Sequence, residues 1–211
     1  MSELIKHVEF SLLKTERLES NIELSILLLD GMSGIKTRHF YNLICSLEDA
    51  RYLEIGSWKG SSICSAMSNN NIICLAIDNW KTLGGPKQEF LENFNKYKGR
   101  NKTKYLEQDC WQVDVNNIGR YNIFLYDGNH SQESHSKVLD YYYPCLDDNF
   151  IYLVDDWNFD RVRAGTNQSI DSLIQNDKIK VLYKKEIFTP SDSNKNDWHN
   201  GICIFVIEKC Y

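Results

Sequence analysis

The chain has 211 residues, 42% hydrophobic and 25% charged, with a formal net charge of −5. This is the composition of a soluble globular protein, near the upper size for one core. The acidic balance argues against non-specific nucleic-acid binding, which rests on Lys and Arg neutralising phosphates. No apolar run reaches the ~20 residues a bilayer span requires.

The seven cysteines (45, 64, 74, 110, 145, 203 and 210) are scattered and form no C-x-x-C pair. They read as reduced and mostly buried thiols. Met1 to Lys6 does not read as a signal peptide. The expected compartment is the cytoplasm.

In chain order, Leu4, Ile5, Val8, Leu12 and Leu13 have helical spacing. A loop follows at Asp30-Gly-Met-Ser-Gly34, then a helix from Thr37 to Glu48 with Phe40, Tyr41, Ile44 and Leu47 inward. Residues 1–48 thus read as an N-terminal helical layer or lid, and 49–211 as the main domain, the two forming one globular unit. Arg51 to Ile55 is a short apolar strand that runs into a loop bearing Gly56 and Gly60, with a helix opening at Ser61 and Ser62. Strand, glycine turn and helix start in that order let backbone N–H groups face a ligand. The pattern is Glu54-x-Gly56-x-x-x-Gly60, not G-x-G-x-x-G, which argues against a nicotinamide site. An acid just before the first glycine suits a ligand carrying positive charge.

Asn71 to Asp78 reads as a strand buried on both faces. Asp78 follows Gly56 by roughly twenty residues, the spacing at which a carboxylate meets ribose hydroxyls in this architecture. Asn79 and Trp80 come next, with the indole expected against an adenine. Pro86 to Lys98 is amphipathic, with Phe90, Leu91, Phe94 and Tyr97 on one stripe. A third strand runs from Lys104 to Cys110, a short helix from Trp111 to Ile118, and a fourth strand from Tyr121 to Asp127. Ser131 caps a helix that Pro144 ends. A fifth strand from Phe150 to Trp157 delivers Asp155 and Asp156, and a helix spans Thr166 to Gln175. Strands Ile179 to Phe188 and Gly201 to Glu208 pair antiparallel around a polar, mobile loop, Thr189 to Asn200.

Glu54-Ile-Gly56-Ser-Trp-Lys-Gly60 resembles the first motif of the class I S-adenosylmethionine-dependent methyltransferases. Asp78, Asp109 and Asp127-Gly-Asn-His130 stand where that superfamily has its later landmarks. The resemblance runs from about Arg51 to Trp157, and more loosely to the C-terminus. It implies an α/β, Rossmann-like fold with a mostly parallel seven-stranded sheet closed by an antiparallel C-terminal hairpin. It also implies S-adenosylmethionine as cofactor, with Glu54, Gly56, Ser57, Gly60, Ser61, Asp78, Asn79, Trp80, Asp109, Cys110 and Asp127 around it. Asp109 would accept from the adenine amino group, and the Cys110 N–H would approach a ring nitrogen.

Three carboxylates at neighbouring strand ends repel one another unless paired, and Mg²⁺ or another divalent cation relieves this. Asp127, Asp155 and Asp156 resemble the metal-binding acids of the metal-dependent O-methyltransferases, whose macrocin-type branch carries an Asp-Asp pair after the fifth strand. The expected catalytic groups are Asp127 and His130. His130 stands where the catechol-type enzymes carry a lysine, and imidazole is a suitable base near neutral pH. The implied activity is O-methylation of a small sugar-like or phenolic acceptor, without nucleic-acid or membrane partners, in a chain for which a homodimer stays open. Trp58, Trp80, Trp157 and Trp198 are the candidate packing faces for that acceptor. A metal-independent methyltransferase and a non-catalytic cofactor-binding module are the alternatives.

Overall fold

A computed structural model of the chain describes residues 2–190 and 195–211. Apolar runs form strands β1 (Arg51–Ile55), β2 (Ile73–Asp78), β4 (Tyr121–Tyr126), β5 (Leu146–Asp155) and β7 (Ile202–Lys209), and the more polar β3 (Lys102–Glu107) and β6 (Ile179–Ile187) flank them as edge strands. They build one sheet in the order β3-β2-β1-β4-β5-β7-β6. The pairs among β1 to β5 are parallel, while β7 runs antiparallel to both β5 and β6. The mostly parallel, Rossmann-like architecture and its C-terminal hairpin are therefore as the sequence implied.

Side-chain alternation along the strands sorts the core into two layers. Tyr52, Ile123, Leu125, Ile151 and Leu153 pack with α1 (Glu3–Glu16), α2 (Leu24–Leu27), α3 (Ile35–Ile44), α4 (Ser61–Met67) and α5 (Lys87–Tyr97). Leu53, Ile55, Phe124, Tyr126, Tyr152 and Val154 pack on the other face, against α6 (Gln132–Tyr142) and α7 (Asp160–Gln175). The order of strand addition reverses between the parallel strands β1 and β4, so a crevice opens at their carboxyl ends, where open α/β sheets place ligands.

Several expected boundaries shift. The helix expected over Trp111 to Ile118 is a single 3-10 turn, Cys110–Gln112, capped by the Asp109 side chain. Helix α7 starts at Asp160 rather than Thr166. Of the expected loop from Thr189 to Asn200, positions 191–194 lie outside the described residues. Positions 195–200 are folded against the N-terminal layer: Ile35 N–H donates to Lys195 O at 2.8 Å, and Trp198 packs on Phe40 and donates from Nε1 to Glu16. Among the described residues, no helix is long and apolar enough to cross a membrane.

Candidate active site

The glycine turn meets the end of β4 directly. Gly56 has φ +88°, and a Cβ there would overlap the carbonyl oxygen of Asp127. Asp127 N–H in turn donates to Ile55 O at 2.9 Å. Trp58 and Gly60 also take positive φ, +44° and +84°, and Gly60 N–H closes the turn onto Ser57 O at 2.6 Å. A bulky residue held left-handed is strained, and Trp58 sits where the loop needs that bend.

Glu54 points to the α3–α4 face and is fully buried. Its oxygens accept from Tyr52 OH at 2.7 Å and Ser62 OH at 2.9 Å. Burial lifts its pKa to about 7, against the pull of the surrounding hydroxyls. Ser57 lies close enough to contribute to that pull, but its buried hydroxyl is outside hydrogen-bond geometry and has no partner. Ser61 is buried at the first position of α4, its hydroxyl 3.1 Å from that of Ser33.

Asp78 accepts from the N–H groups of Trp58 at 2.9 Å and Trp80 at 2.7 Å. A carboxylate offers about four acceptor positions, so room remains for two hydroxyls. Asn79 accepts from Lys81 N–H, and Asp109 accepts from Trp111 N–H. Cys110 is half-buried, burial pushes its thiol up to about 11, and its carbonyl accepts from Tyr142 OH. The Trp80 ring does not stand open for an adenine. It is 6% exposed, packs 4.7 Å from Phe90, and donates from Nε1 to Trp58 O. Trp157 and Trp198 are buried as well, so only Trp58 of the four indoles keeps an accessible face, with Lys59 Nζ 4.8 Å above it.

Asp127, His130 and Asp156 converge. His130 Nε2 lies 2.8 Å from Asp156 Oδ2 and 3.7 Å from Asp127 Oδ1, and one donor atom from each residue falls within 4.8 Å of the others. The carboxylates of Asp127 and Asp156 together raise the imidazole pKa to about 10. The two acids thus favour the protonated form of the ring. Burial lifts Asp127 to about 6, opposed by His130. Burial also pushes Asp156 upward, but His130 and Asn200 outweigh it and leave the acid below its ordinary value.

Asp155 does not join them. Neighbouring strand residues face opposite ways, and Asp155 continues the β5 alternation toward α3. Its Oδ2 accepts from Tyr41 OH at 3.2 Å and its Oδ1 from Asp156 N–H at 2.9 Å. Burial, reinforced by Asp127 and Asp156, raises its pKa far above the carboxylate range. Asp156 leaves the strand with φ +58°, which turns its side chain toward His130.

Sequence reasoning missed Tyr41, read only as core, and the loop residues His199 and Asn200. Asn200 Nδ2 donates to Asp156 Oδ1, and Asn158 N–H donates to Asn200 O at 2.8 Å. His199, at φ +55°, carries a buried Nδ1 without a partner among the described residues. No local pattern signals these residues; only the antiparallel return of β7 beside β5 brings them to the site.

No protein-family model matches the sequence, and no curated protein matches it. Solved structures do match. The O-methyltransferase TomG of Streptomyces achromogenes, involved in tomaymycin synthesis and solved with S-adenosylmethionine, aligns over 100% of both chains. It does so at 10% identity with a TM-score of 0.63. An O-methyltransferase of Bacillus cereus with S-adenosylhomocysteine aligns over 96% of this chain and 91% of its own, at 11% identity and a TM-score of 0.58. A Podospora anserina methyltransferase bound to S-adenosylhomocysteine aligns over 97% and 88%, at 15% identity and a TM-score of 0.57. The fold is that of the class I S-adenosylmethionine-dependent methyltransferases.

Proposed function

We propose that the chain is an S-adenosylmethionine-dependent methyltransferase acting on a hydroxyl oxygen of a small acceptor. The observation that carries this reading is the convergence of Asp127, His130 and Asp156 beside the glycine turn, at the switch point of the sheet. Glu54 and Asp127 lie on one face of the sheet and supply negative potential for a sulfonium and an ammonium group. Asp78 holds the ribose, and the turn between Gly56 and Gly60 lets the cofactor approach the backbone. Asn79, Asp109 and Cys110 border the adenine.

Transfer is an in-line displacement. A lone pair of the acceptor oxygen forms the new C–O bond as the methyl–sulfur bond breaks. That electron pair stays on sulfur and leaves S-adenosylhomocysteine. The hydroxyl proton passes to the Asp127 carboxylate, whose pKa burial lifts to about 6, while His130 Nε2 stays bonded to Asp156.

Asp127 and Asp156 fit a divalent cation, because two carboxylates face each other across a third donor within 4.8 Å. Asp155 belongs with Tyr41 rather than with that pair. A divalent cation there supplies Lewis acidity that lowers the hydroxyl pKa. A second reading rests on His130 itself. Its ring already sits between the two acids, so the imidazole can serve as their counter-ion and transfer then needs no metal.

The experiment is a search for S-adenosylhomocysteine release over hydroxylated acceptors, with Mg²⁺, with Mn²⁺ and after chelation. Release that needs metal supports the first reading, and release that survives chelation supports the second. No release with any acceptor, and no heat on titrating S-adenosylmethionine, would remove both.

A further inference from the structure

Arg38 is 3% exposed, yet among the described residues no acid pairs with it. Among the described residues, its Nε donates to Ser33 Oγ at 3.0 Å. Its Nη1 donates to the carbonyls of Ile26, Leu27 and Leu29 at 3.1, 3.1 and 2.8 Å. Those acceptors are all neutral, and Nη2 makes no hydrogen bond. Asp30, the acid whose charge reaches the guanidinium, is itself paired with Lys59 at 2.8 Å. Binding the carbonyls at and just past the end of α2 accounts for Nη1, but among the described residues no anion offsets the buried charge. Such a charge carries a desolvation cost that neutral oxygens offset only in part.

The Nη2 edge of the guanidinium lies beside Gly31, next to the first turn of α4. A Cβ on Gly31 would lie 2.8 Å from Arg38 Nη2 and overlap the Ser61 hydroxyl. Ser33, which accepts from Arg38 Nε, is 3.1 Å from Ser61 Oγ. The next residue, Ser62, donates to Glu54. Adjacent serines in the first turn of α4 therefore lead to a buried cation on one side and a buried acid on the other. A ligand with an ammonium and a carboxylate on one carbon matches that pair of opposite charges.

We propose that Arg38 binds the α-carboxylate of the cofactor's methionine moiety, an inference that rests on reading this cleft as the S-adenosylmethionine site. The carboxylate accepts from Nη2, while the ammonium group lies on the Glu54 side of the same turn. Charge-assisted pairing of this kind is the strong class of hydrogen bond. Arg38 is thus a cofactor-binding residue on the N-terminal layer, and it ties that layer to the bound amino-acid end.

The test is calorimetry with S-adenosylhomocysteine and with its decarboxylated analogue. The wild-type chain is expected to prefer the carboxylate-bearing ligand by about 30-fold. In Arg38→Gln that preference should vanish, through weaker S-adenosylhomocysteine binding and unchanged binding of the analogue. Arg38→Lys should retain part of it. A merely structural role would weaken both ligands alike and overturn the proposal, as would a wild-type preference under about threefold. Should both variants fail to fold, a structure of the wild-type chain with S-adenosylhomocysteine decides. A carboxylate within about 3.5 Å of Nη2 supports the proposal, and one placed elsewhere overturns it. Wild-type chain that binds neither ligand overturns the cofactor reading as well, an outcome distinct from equal binding of the two.

Discussion

Gly56 and Asp127 touch main chain to main chain, with no space for a side chain between them. That contact joins the ends of β1 and β4 and sets Glu54 and Asp127 on one face of the sheet. The negative charge at the crevice follows from this juxtaposition.

Gly56→Ala tests the contact. The new Cβ adds left-handed strain to steric overlap, so stability should fall by about 2–4 kcal/mol. Urea unfolding measures it. An unchanged midpoint would mean the two strand ends can separate freely.

Glu54 titrates at about 7 in the folded chain, against an ordinary value of 4.5. The folded state therefore holds an extra proton between those values. The group's stabilising contribution is complete below pH 4.5 and is lost as pH rises through 7. About 3 kcal/mol ride on that shift. Glu54→Gln should show a flatter stability profile between pH 5 and 8, gain on the wild type at the alkaline end, and bind S-adenosylmethionine more weakly. Parallel profiles from denaturation at pH 5, 6.5 and 8 would contradict this.

Asn200 holds Asp156 in its turned-out position. Removing an outer partner of a ligand-bearing carboxylate typically costs 10–100-fold in metal affinity or rate. Asn200→Ala should lose about that much in Mn²⁺ affinity and turnover while its melting temperature moves only a few degrees. Unchanged Mn²⁺ titration and turnover would show that Asp156 needs no such support.

The divided roles of the acids are open to the same titration. If this cluster holds a divalent cation, as the first reading has it, Asp127→Asn and Asp156→Asn should weaken Mn²⁺ binding by at least tenfold. Asp155→Asn keeps an acceptor oxygen for Tyr41 OH and Asp156 N–H, and should bind Mn²⁺ within about threefold of the wild type. An equal loss in all three variants would return Asp155 to the ligand set.

The middle of the sheet was legible because β1, β2, β4 and β5 are apolar runs ended by glycine or acid, and the glycine turn drew weight from the acids at the later strand ends. The Asp155–Asp156 pair misled, although alternation along a strand already forbids neighbours from facing the same way. Trp80, Trp157 and Trp198 drew attention as exposed platforms, and burial shows them to be core. Asn200 and His199 were illegible for a different reason. They reach the site through the antiparallel pairing of β7 with β5, a contact between segments more than forty residues apart. Arg38 carries no signal in the sequence; residues 26–33 supply the oxygens that enclose it.

The most direct measurement is calorimetric titration of the unmodified chain with S-adenosylhomocysteine. The account predicts saturable binding at one site per chain with a dissociation constant on the order of 1–100 μM, reduced at least tenfold by Glu54→Gln. No detectable heat, or binding that Glu54→Gln leaves untouched, would contradict it.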